Sequence, residues 1–190
     1  MKGETKEFEL DFMVGKVFDR IYLTKEPQTY YVTEFFDFDG TCVHDRGAGG
    51  HFYDYENHVY RQDFGNLPKY DYCSRTGHIT VYNESVVFKN EEETVYFSHE
   101  QECCENVCFE SIDIPLESLQ GHKILSAKCR TVIKYDDDGE RSDTWYIFEV
   151  EGVGTATMRW AGESNGYYST AVDVYYQDDR EYNKWCRKVN

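Results

Sequence analysis

The dipeptide Asn165-Gly166 is the feature that most limits how this chain can fold. Before it, apolar and polar residues alternate as far as Trp160, and after it the residues YYSTAVDVYY form a second β-rich run. Asn-Gly readily adopts the positive φ angles of a tight hairpin turn. The pattern therefore predicts a β-hairpin that turns at Asn165-Gly166 and pairs the two runs as neighbouring strands.

Composition and the spacing of apolar runs favour β-structure along most of the chain. Aromatic residues, which favour strands, make up 17% of the 190 residues. Strand-like runs follow one another from His78 onward, with the spacing of an antiparallel meander. EQECCENVCF is expected to form one short helix, and residues 179–189, with apolar residues at helical spacing, another. We predict an α+β fold, mostly an antiparallel β meander with a few short helices.

Two segments share one local pattern. In residues 8–23 and again in residues 116–127, an apolar helical turn leads to a glycine, Gly15 or Gly121, and then to a strand. Glycine is a usual residue just past a helical turn. The similarity has two interpretations, a weak internal repeat or a coincidence.

The chain has the length of a single domain. Residues 24–77 differ from the rest, because they contain the run GAGG and many Tyr, Asp and His residues with little periodicity. We interpret them as an irregular insertion. The predicted core is then formed by residues 8–23 and 78–178, with the short helix 179–189 at the C-terminus.

The net charge of −16 opposes nonspecific binding to nucleic acid or to an anionic membrane. No apolar run approaches the ~20 residues of a membrane span, and the N-terminal residues lack the apolar core of a signal peptide. The seven cysteines are therefore expected to be reduced thiols in the cytoplasm. We expect no membrane partner, no direct nucleic-acid partner and no cofactor.

The run FFDFDGT, residues 35–41, resembles the nucleophile motif of haloacid-dehalogenase-type phosphatases, in which Asp37 would attack phosphorus and Asp39 would act as acid and base. That family needs a parallel sheet with alternating strands and helices, which this chain does not show. We interpret the run as a strand that leads into an Asp-Gly turn, and we assign no catalytic residue.

A second chemical candidate is the spacing His-x3-Cys-Cys-x3-Cys, formed by His99, Cys103, Cys104 and Cys108. Four soft ligands this close could hold zinc, although the paired C-x2-C spacing of common zinc sites is absent. A thiol nucleophile at Cys103 or Cys104, assisted by His99 and Glu100, is another interpretation. Buried thiols that pack as small apolar groups are the third. A small metal- or thiol-dependent enzyme is thus the alternative function.

The candidate binding residues are acidic and aromatic. Two acidic runs occupy turns between predicted strands, and tyrosines are frequent in the insertion; the set is Glu91, Glu92, Glu93, Asp136, Asp137, Asp138, Tyr53 and Tyr55. Acid runs at hairpin tips are often only solvated. Their alternative role is to attract a basic partner, while tyrosines anchor contacts.

Two further segments carry a family resemblance. HEQECCENVCFESI, residues 99–112, is followed by LESLQG and later by RWAGESNGYYSTAVDV, and Val14-Gly15-Lys16 stands near the N-terminus. In this order they resemble a family of small, uncharacterised domains encoded mainly by bacteriophages and prophages. The resemblance covers residues 10–23 and 78–176 and implies an origin more than an activity.

Acidity and this resemblance together suggest a function through binding. We expect a non-enzymatic phage accessory protein in the cytoplasm of a bacterial host. Its partner would be a host protein with a basic surface, such as a nucleic-acid-binding effector of a defence complex, which it would inhibit.

Overall fold

The computed structural model describes residues 2–25, 28–31, 34–36, 78–81, 84–99, 101 and 103–178. Their strands in chain order are β1 Lys2–Glu9, β2 Arg20–Thr24, β3 Gln28–Tyr31, β4 Glu34–Phe36, β5 His78–Val81, β6 Ser85–Lys89, β7 Glu93–Ser98, β8 Glu105–Ile112, β9 Ile124–Asp136, β10 Gly139–Val150, β11 Gly154–Ser164 and β12 Asp173–Asp178. Two 3₁₀ turns, Asp11–Met13 and Leu116–Leu119, precede β2 and β9.

The strands form two five-stranded antiparallel sheets, which pack face to face. The first sheet has the order β1-β9-β10-β11-β8, the second has the order β2-β6-β7-β12-β4, and β3 pairs with β5 separately. Aromatic rings join the two inner faces: the ring centres of Phe88 and Phe148 lie 5.3 Å apart, and those of Phe97 and Tyr146 lie 4.6 Å apart. The fold is therefore a β-sandwich with one shared apolar core.

The predicted α+β class is wrong, because the described residues contain no α-helix. The predicted helix over EQECCENVCF is instead occupied largely by β8, which pairs with β11. Val107 is buried and Phe109 packs edge-on against Trp160. This sheet-like alternation, together with the backbone bonds to β11, overrides the weak helical spacing of the cysteines. The predicted helix 179–189 lies outside the described residues.

The predicted hairpin at Asn165-Gly166 is also wrong as a pairing, although Gly166 has the expected positive φ of 82°. After β11 the chain leaves the first sheet and enters the second, where β12 pairs with β7 and β4. The place beside β11 is taken by β8. Val172 and Val174, which are fully buried, gain more contact between the sheets than they would at the edge of one sheet.

The two glycine-containing segments contact each other directly. The N–H of Gly15 donates to the carbonyl of Ile124 at 2.8 Å, and the N–H of Gly121 donates to the carbonyl of Phe18 at 2.9 Å. Val17 and Lys123 form the bridge between these two bonds. Both glycines have positive φ, 82° and 75°. The local pattern predicted from the sequence is confirmed. Its two copies occupy equivalent positions on the two sides of one antiparallel contact.

The two halves of the chain follow one plan from this contact onward. The first half adds β2, β6 and β7 to the second sheet and then sends β8 across to the first sheet, beside β11. The second half adds β9, β10 and β11 to the first sheet and then sends β12 across to the second sheet, beside β7. This shared plan favours the internal repeat over the coincidence.

The sandwich consequently has two distinct ends. The glycine contact lies at one end, here called the turn end, together with the β6–β7 and β10–β11 turns. The β9–β10 turn and both connections that cross between the sheets lie at the opposite end, here called the loop end. Between β2 and β6 the chain contributes β4 to the edge of the second sheet, where it pairs with β12. Lys25 follows β2 and Glu84 precedes β6, also at the loop end, and these two side chains form an ion pair at 2.8 Å.

Strands β9, β10 and β11 alternate between buried and exposed residues, whereas β6 and β7 are buried on both faces. The apolar runs SVVFK and TVYFS agree with burial on two sides, because such strands need few polar residues. Within the part of the chain that the structure describes, no helix has the length and apolar character needed to cross a membrane.

The glycine contact predicts a specific pattern of instability. A Cβ at Gly15 or Gly121 would meet no atom within 4 Å, so replacement by alanine should cost only the left-handed backbone, ~1–2 kcal/mol of unfolding free energy each. Asparagine tolerates this conformation better, so Gly121→Asn should lose less than Gly121→Ala. Urea unfolding measures these differences; alanine variants as stable as the original chain would contradict the assigned backbone.

Candidate functional site

The two connections that cross between the sheets contact each other at the loop end. The N–H of Asn165 donates to the carbonyl of Cys104 at 3.1 Å, and the thiol of Cys103 donates to the hydroxyl of Tyr168 at 3.2 Å. Residues 61 and 65 positions apart in sequence are thus joined in one surface. They are the same segments that carried the family resemblance.

His99 holds this junction together from inside. Its Nδ1 lies 2.8 Å from the carbonyl oxygen of Ala171, and its Nε2 lies 2.8 Å from Oε1 of Glu105. A carbonyl only accepts, so Nδ1 carries a proton. The second contact needs one more proton, on Nε2 or on the carboxyl group. Because the ring is 5% exposed and both nitrogens are engaged, His99 is placed to support the loop rather than to meet a substrate.

The Asn165-Gly166 turn is held by its own side chains. The hydroxyl of Ser164 donates to the carbonyl of Tyr168 at 2.7 Å and accepts the N–H of Gly166 at 3.1 Å, and the amide oxygen of Asn165 accepts the N–H of Tyr167. This arrangement presents the ring of Tyr167, which is 85% exposed and lies edge-on to Tyr168. A rigid turn therefore holds an aromatic ring in solvent.

The β9–β10 turn packs against this loop through Gly139. A Cβ at Gly139 would overlap the carbonyl oxygen of Ser164 and would come within 2.9 Å of the Cα of Asn165. Its φ of 141° also suits glycine alone. The close approach leaves an open cleft of about 330 Å³ between the two segments; its lining residues are Cys104, Glu105, Asn106, Asp136, Asp138, Gly139, Glu140, Arg141, Glu163, Ser164 and Asn165.

Carboxylates dominate the charge of this cleft. The lining contains five acidic side chains and one basic side chain, Arg141. The guanidinium of Arg141 lies 3.6 Å from Glu163, and both groups are largely exposed, so this pair neutralises little. Glu140 accepts the hydroxyl and the N–H of Thr170, and the buried carboxyl group of Glu105 contacts His99. Asp136 and Asp138 are therefore the acids of the open rim.

The thiols give weak support for nucleophilic or metal chemistry. A hydrogen bond to Cys103 raises the pKa of the Cys104 thiol, and burial raises the pKa of Cys108 and takes that of Cys129 to about 12. A raised pKa keeps a thiol protonated, whereas attack and metal binding need the thiolate. Among the described residues, no group of three or more His, Cys, Asp and Glu side chains is positioned to hold a metal ion.

The predicted binding residues lie in different places. Glu91 and Glu92 are exposed at the β6–β7 turn, at the turn end, whereas Glu93 is buried and accepts the ammonium of Lys16 and the hydroxyl of Tyr176. Asp136, Asp137 and Asp138 are exposed at the loop end. The two acidic turns therefore do not share one surface. Tyr53 and Tyr55, and likewise Asp37 and Asp39, lie outside the described residues.

Several side chains of the cleft were not identified from the sequence. Glu140, Arg141 and Glu163 follow ordinary strand positions, and only the pairing of β10 with β11 brings them to the cleft. Tyr167 is the first residue of the aromatic-rich run YYSTAVDVYY. Its position directly after Asn165-Gly166 is the signal that could have identified it, because such a turn projects its neighbours into solvent.

Comparison with known proteins identifies the class to which this fold and site belong. A family model described as a domain of unknown function (DUF7448) matches residues 71–174, which is more than half of the 190 residues. The chain belongs to this family. The match includes both crossing connections, and no catalytic family was found. No curated protein and no solved structure matches the chain.

The packing of Gly139 leads to a paired test. Gly139→Ala should destabilise the protein by at least ~2 kcal/mol, because it adds a clash with backbone atoms to an unfavourable φ. Gly154→Ala is the matched control, since Gly154 also has a positive φ, 106°, but open space around its Cβ. Chemical denaturation compares the two. Equal losses would show that the β9–β10 turn does not approach Ser164 this closely.

The contact of His99 with Glu105 gives a second test. Glu105→Ala should cost ~1–3 kcal/mol, because Nε2 would lose its buried partner. Glu105→Gln should cost less, since an amide can donate to the neutral ring. Glu163→Ala is the surface control, with an expected change below ~0.5 kcal/mol. Thermal unfolding of the three variants measures the order; an alanine variant no weaker than the glutamine variant would contradict the contact.

Proposed function

We propose that this protein acts by binding a basic partner protein through its loop end. The observation that carries the proposal is the acidic cleft, which combines open carboxylates at Asp136 and Asp138 with the exposed ring of Tyr167. Tyrosine supplies contact area at low entropic cost, and carboxylates steer a basic surface toward it. A cleft lined by one sign of charge concentrates this attraction.

The attachment of residues 24–77 also supports the loop end as the binding surface. Lys25 and Glu84, which flank most of this segment, form an ion pair at the loop end, and β4 within it pairs with β12 in the second sheet. The segment is therefore joined to the sandwich at the same end as the cleft. Segments added at loops often carry binding functions. Tyr53 and Tyr55 belong to it and stay candidate contacts of this proposal.

The proposed origin and target of the protein rest on the family resemblance of its sequence and on its negative charge. We propose a phage or prophage accessory protein that works in the cytoplasm of a bacterial host. A basic groove that normally receives nucleic acid would be a suitable target, because it presents positive charge for an acidic protein. Inhibition of such a host defence effector is the biological role proposed.

A metal- or thiol-dependent enzyme is less well supported. His99 is buried between Ala171 and Glu105 and does not contact a thiol in this arrangement. The raised pKa values of Cys104 and Cys108 also disfavour a nucleophile. A binding function therefore explains more features of the loop end than a catalytic function does.

The two acidic turns allow a charge-matched test of the binding end. The double variant Asp136→Asn with Asp138→Asn and the double variant Glu91→Gln with Glu92→Gln remove the same charge from opposite ends. With a partner captured from bacterial lysate by the original chain, the first variant should slow association on the order of three- to tenfold at low salt and flatten its salt dependence. The second should leave both nearly unchanged.

The contact surface is tested separately from the charge. Tyr167→Ala should speed dissociation, because it removes a solvent-exposed anchor, while Tyr22→Ala, an exposed tyrosine of β2, serves as the control. If both charge variants slow association equally, or if Tyr167→Ala leaves dissociation unchanged, the loop end is not the binding surface.

A further inference from the structure

Cys103 and Cys104 form an exposed pair of neighbouring thiols on the turn that precedes β8. The two thiols stand on consecutive residues, and the thiol of Cys103 reaches the hydroxyl of Tyr168 at 3.2 Å. The two sulfur atoms therefore lie together at the surface, next to a phenol group. Cys129, in contrast, is buried in the core.

The backbone of this turn is unusual. Cys104 has a φ of 67° and is the one non-glycine residue with positive φ among the described residues. L-residues with a side chain rarely adopt this conformation, and such outliers persist where the surrounding structure enforces them. Here the carbonyl of Cys104 accepts the N–H of Asn165, which holds the strained turn against the other connection.

We propose that Cys103 and Cys104 are a reversible modification site, at which a low-molecular-weight disulfide converts the two neighbouring thiols into a vicinal disulfide. This inference does not depend on the proposed binding function. The proposed disulfide is a labile bond, not one that stabilises the fold. Cα atoms of adjacent residues lie ~3.8 Å apart, which is shorter than the ~4.4–6.8 Å of ordinary disulfides, so the bond would be strained and easily reduced.

The surroundings assign different roles to the two thiols. The hydroxyl of Tyr168 lies 3.2 Å from the sulfur of Cys103, whereas the pKa of the Cys104 thiol is raised. Cys103 is then the attacking group, and the phenol of Tyr168, which both accepts and donates, can turn its O–H toward the thiolate. Cys104 follows as the resolving thiol.

The exchange is balanced in two steps. The thiolate of Cys103 attacks the reagent R–S–S–R, a Cys103–S–S–R bond forms, and one R–S⁻ leaves. Cys104 gives its proton to the released R–S⁻, and its thiolate then attacks the sulfur of Cys103 and expels the second R–S⁻. The two protons of the protein thiols end on the two released R–SH molecules, so the pair is oxidised by two electrons and the reagent is reduced by two.

Oxidation of the two thiols would alter the acidic cleft through the residues that they contact. It removes the S–H donor that Cys103 offers to Tyr168, and Cys104 itself lines the cleft. The state of the thiol pair is thus coupled to the loop that presents Tyr167. This coupling gives the modification a structural consequence beyond the two sulfur atoms.

The test uses the full chain with oxidised glutathione, followed by proteolysis and mass spectrometry of the fragment that holds Cys103, Cys104 and Cys108. The expected product has lost two hydrogen atoms, forms equally in a Cys108→Ser variant, and is reduced again by excess reduced glutathione. A bond to Cys108, to a distant cysteine or to a second chain would overturn the proposal, and so would a product that resists reduction.

Single variants separate the roles of the two thiols. Cys104→Ser should trap glutathione on Cys103, whereas Cys103→Ser should form an adduct at least about tenfold more slowly. In the Cys104→Ser background, Tyr168→Phe should slow the adduct at Cys103 but not at Cys108. Equal rates for both single cysteine variants, or a Tyr168→Phe effect shared by Cys108, would overturn the assigned order of attack.

Discussion

The backbone contact between the segments at Gly15 and Gly121 is the constraint on which the rest of the structure depends. It joins the last residues before β2 to the last residues before β9, so it fixes the position of these two strands relative to each other. Phe18 and Ile124, whose carbonyls accept the two glycine N–H groups, are both buried. Only a residue that tolerates positive φ can turn the chain this tightly and still pair. The contact thereby aligns the two inner faces, and the aromatic core between them follows.

The loop-end site is a consequence of this arrangement. Because each half sends its last strand into the opposite sheet, both crossing connections must pass one another at the end far from the glycines. Asn165 and Cys104 meet there, and His99 binds Ala171 beneath them. The two sequence segments that resemble a family are therefore not two sites. They are the two sides of one crossing, and this explains why a polar, turn-rich sequence is needed in both.

Local structure could be predicted from the sequence, but the pairing of distant strands and side chains could not. The turns at Gly15, Gly121 and Asn165-Gly166 and the strands from β9 to β11 follow from patterns of a few residues. The choice of β8 rather than β12 as the neighbour of β11 depends on how Val172 and Val174 fill the space between sheets, which no local pattern contains. The burial of Glu93 could not be predicted either, since its partners Lys16 and Tyr176 are distant in sequence and meet only through the sheet.

The two ends of the sandwich differ in how many of their polar and aromatic groups face solvent. At the turn end the polar groups are largely engaged within the fold: Asn90 donates to the carbonyl of Val17 and accepts two backbone N–H groups, and Lys16 pairs with Glu93. At the loop end an aromatic ring, two carboxylates and two thiols face solvent. Glu91 and Glu92 are exposed at the turn end. A partner that reached past them to Asn90 or Glu93 would have to break hydrogen bonds within the fold, and a buried polar group left without a partner costs free energy. A partner at the loop end can contact the exposed ring and carboxylates directly, so binding there leaves the contact between Gly15 and Gly121 intact.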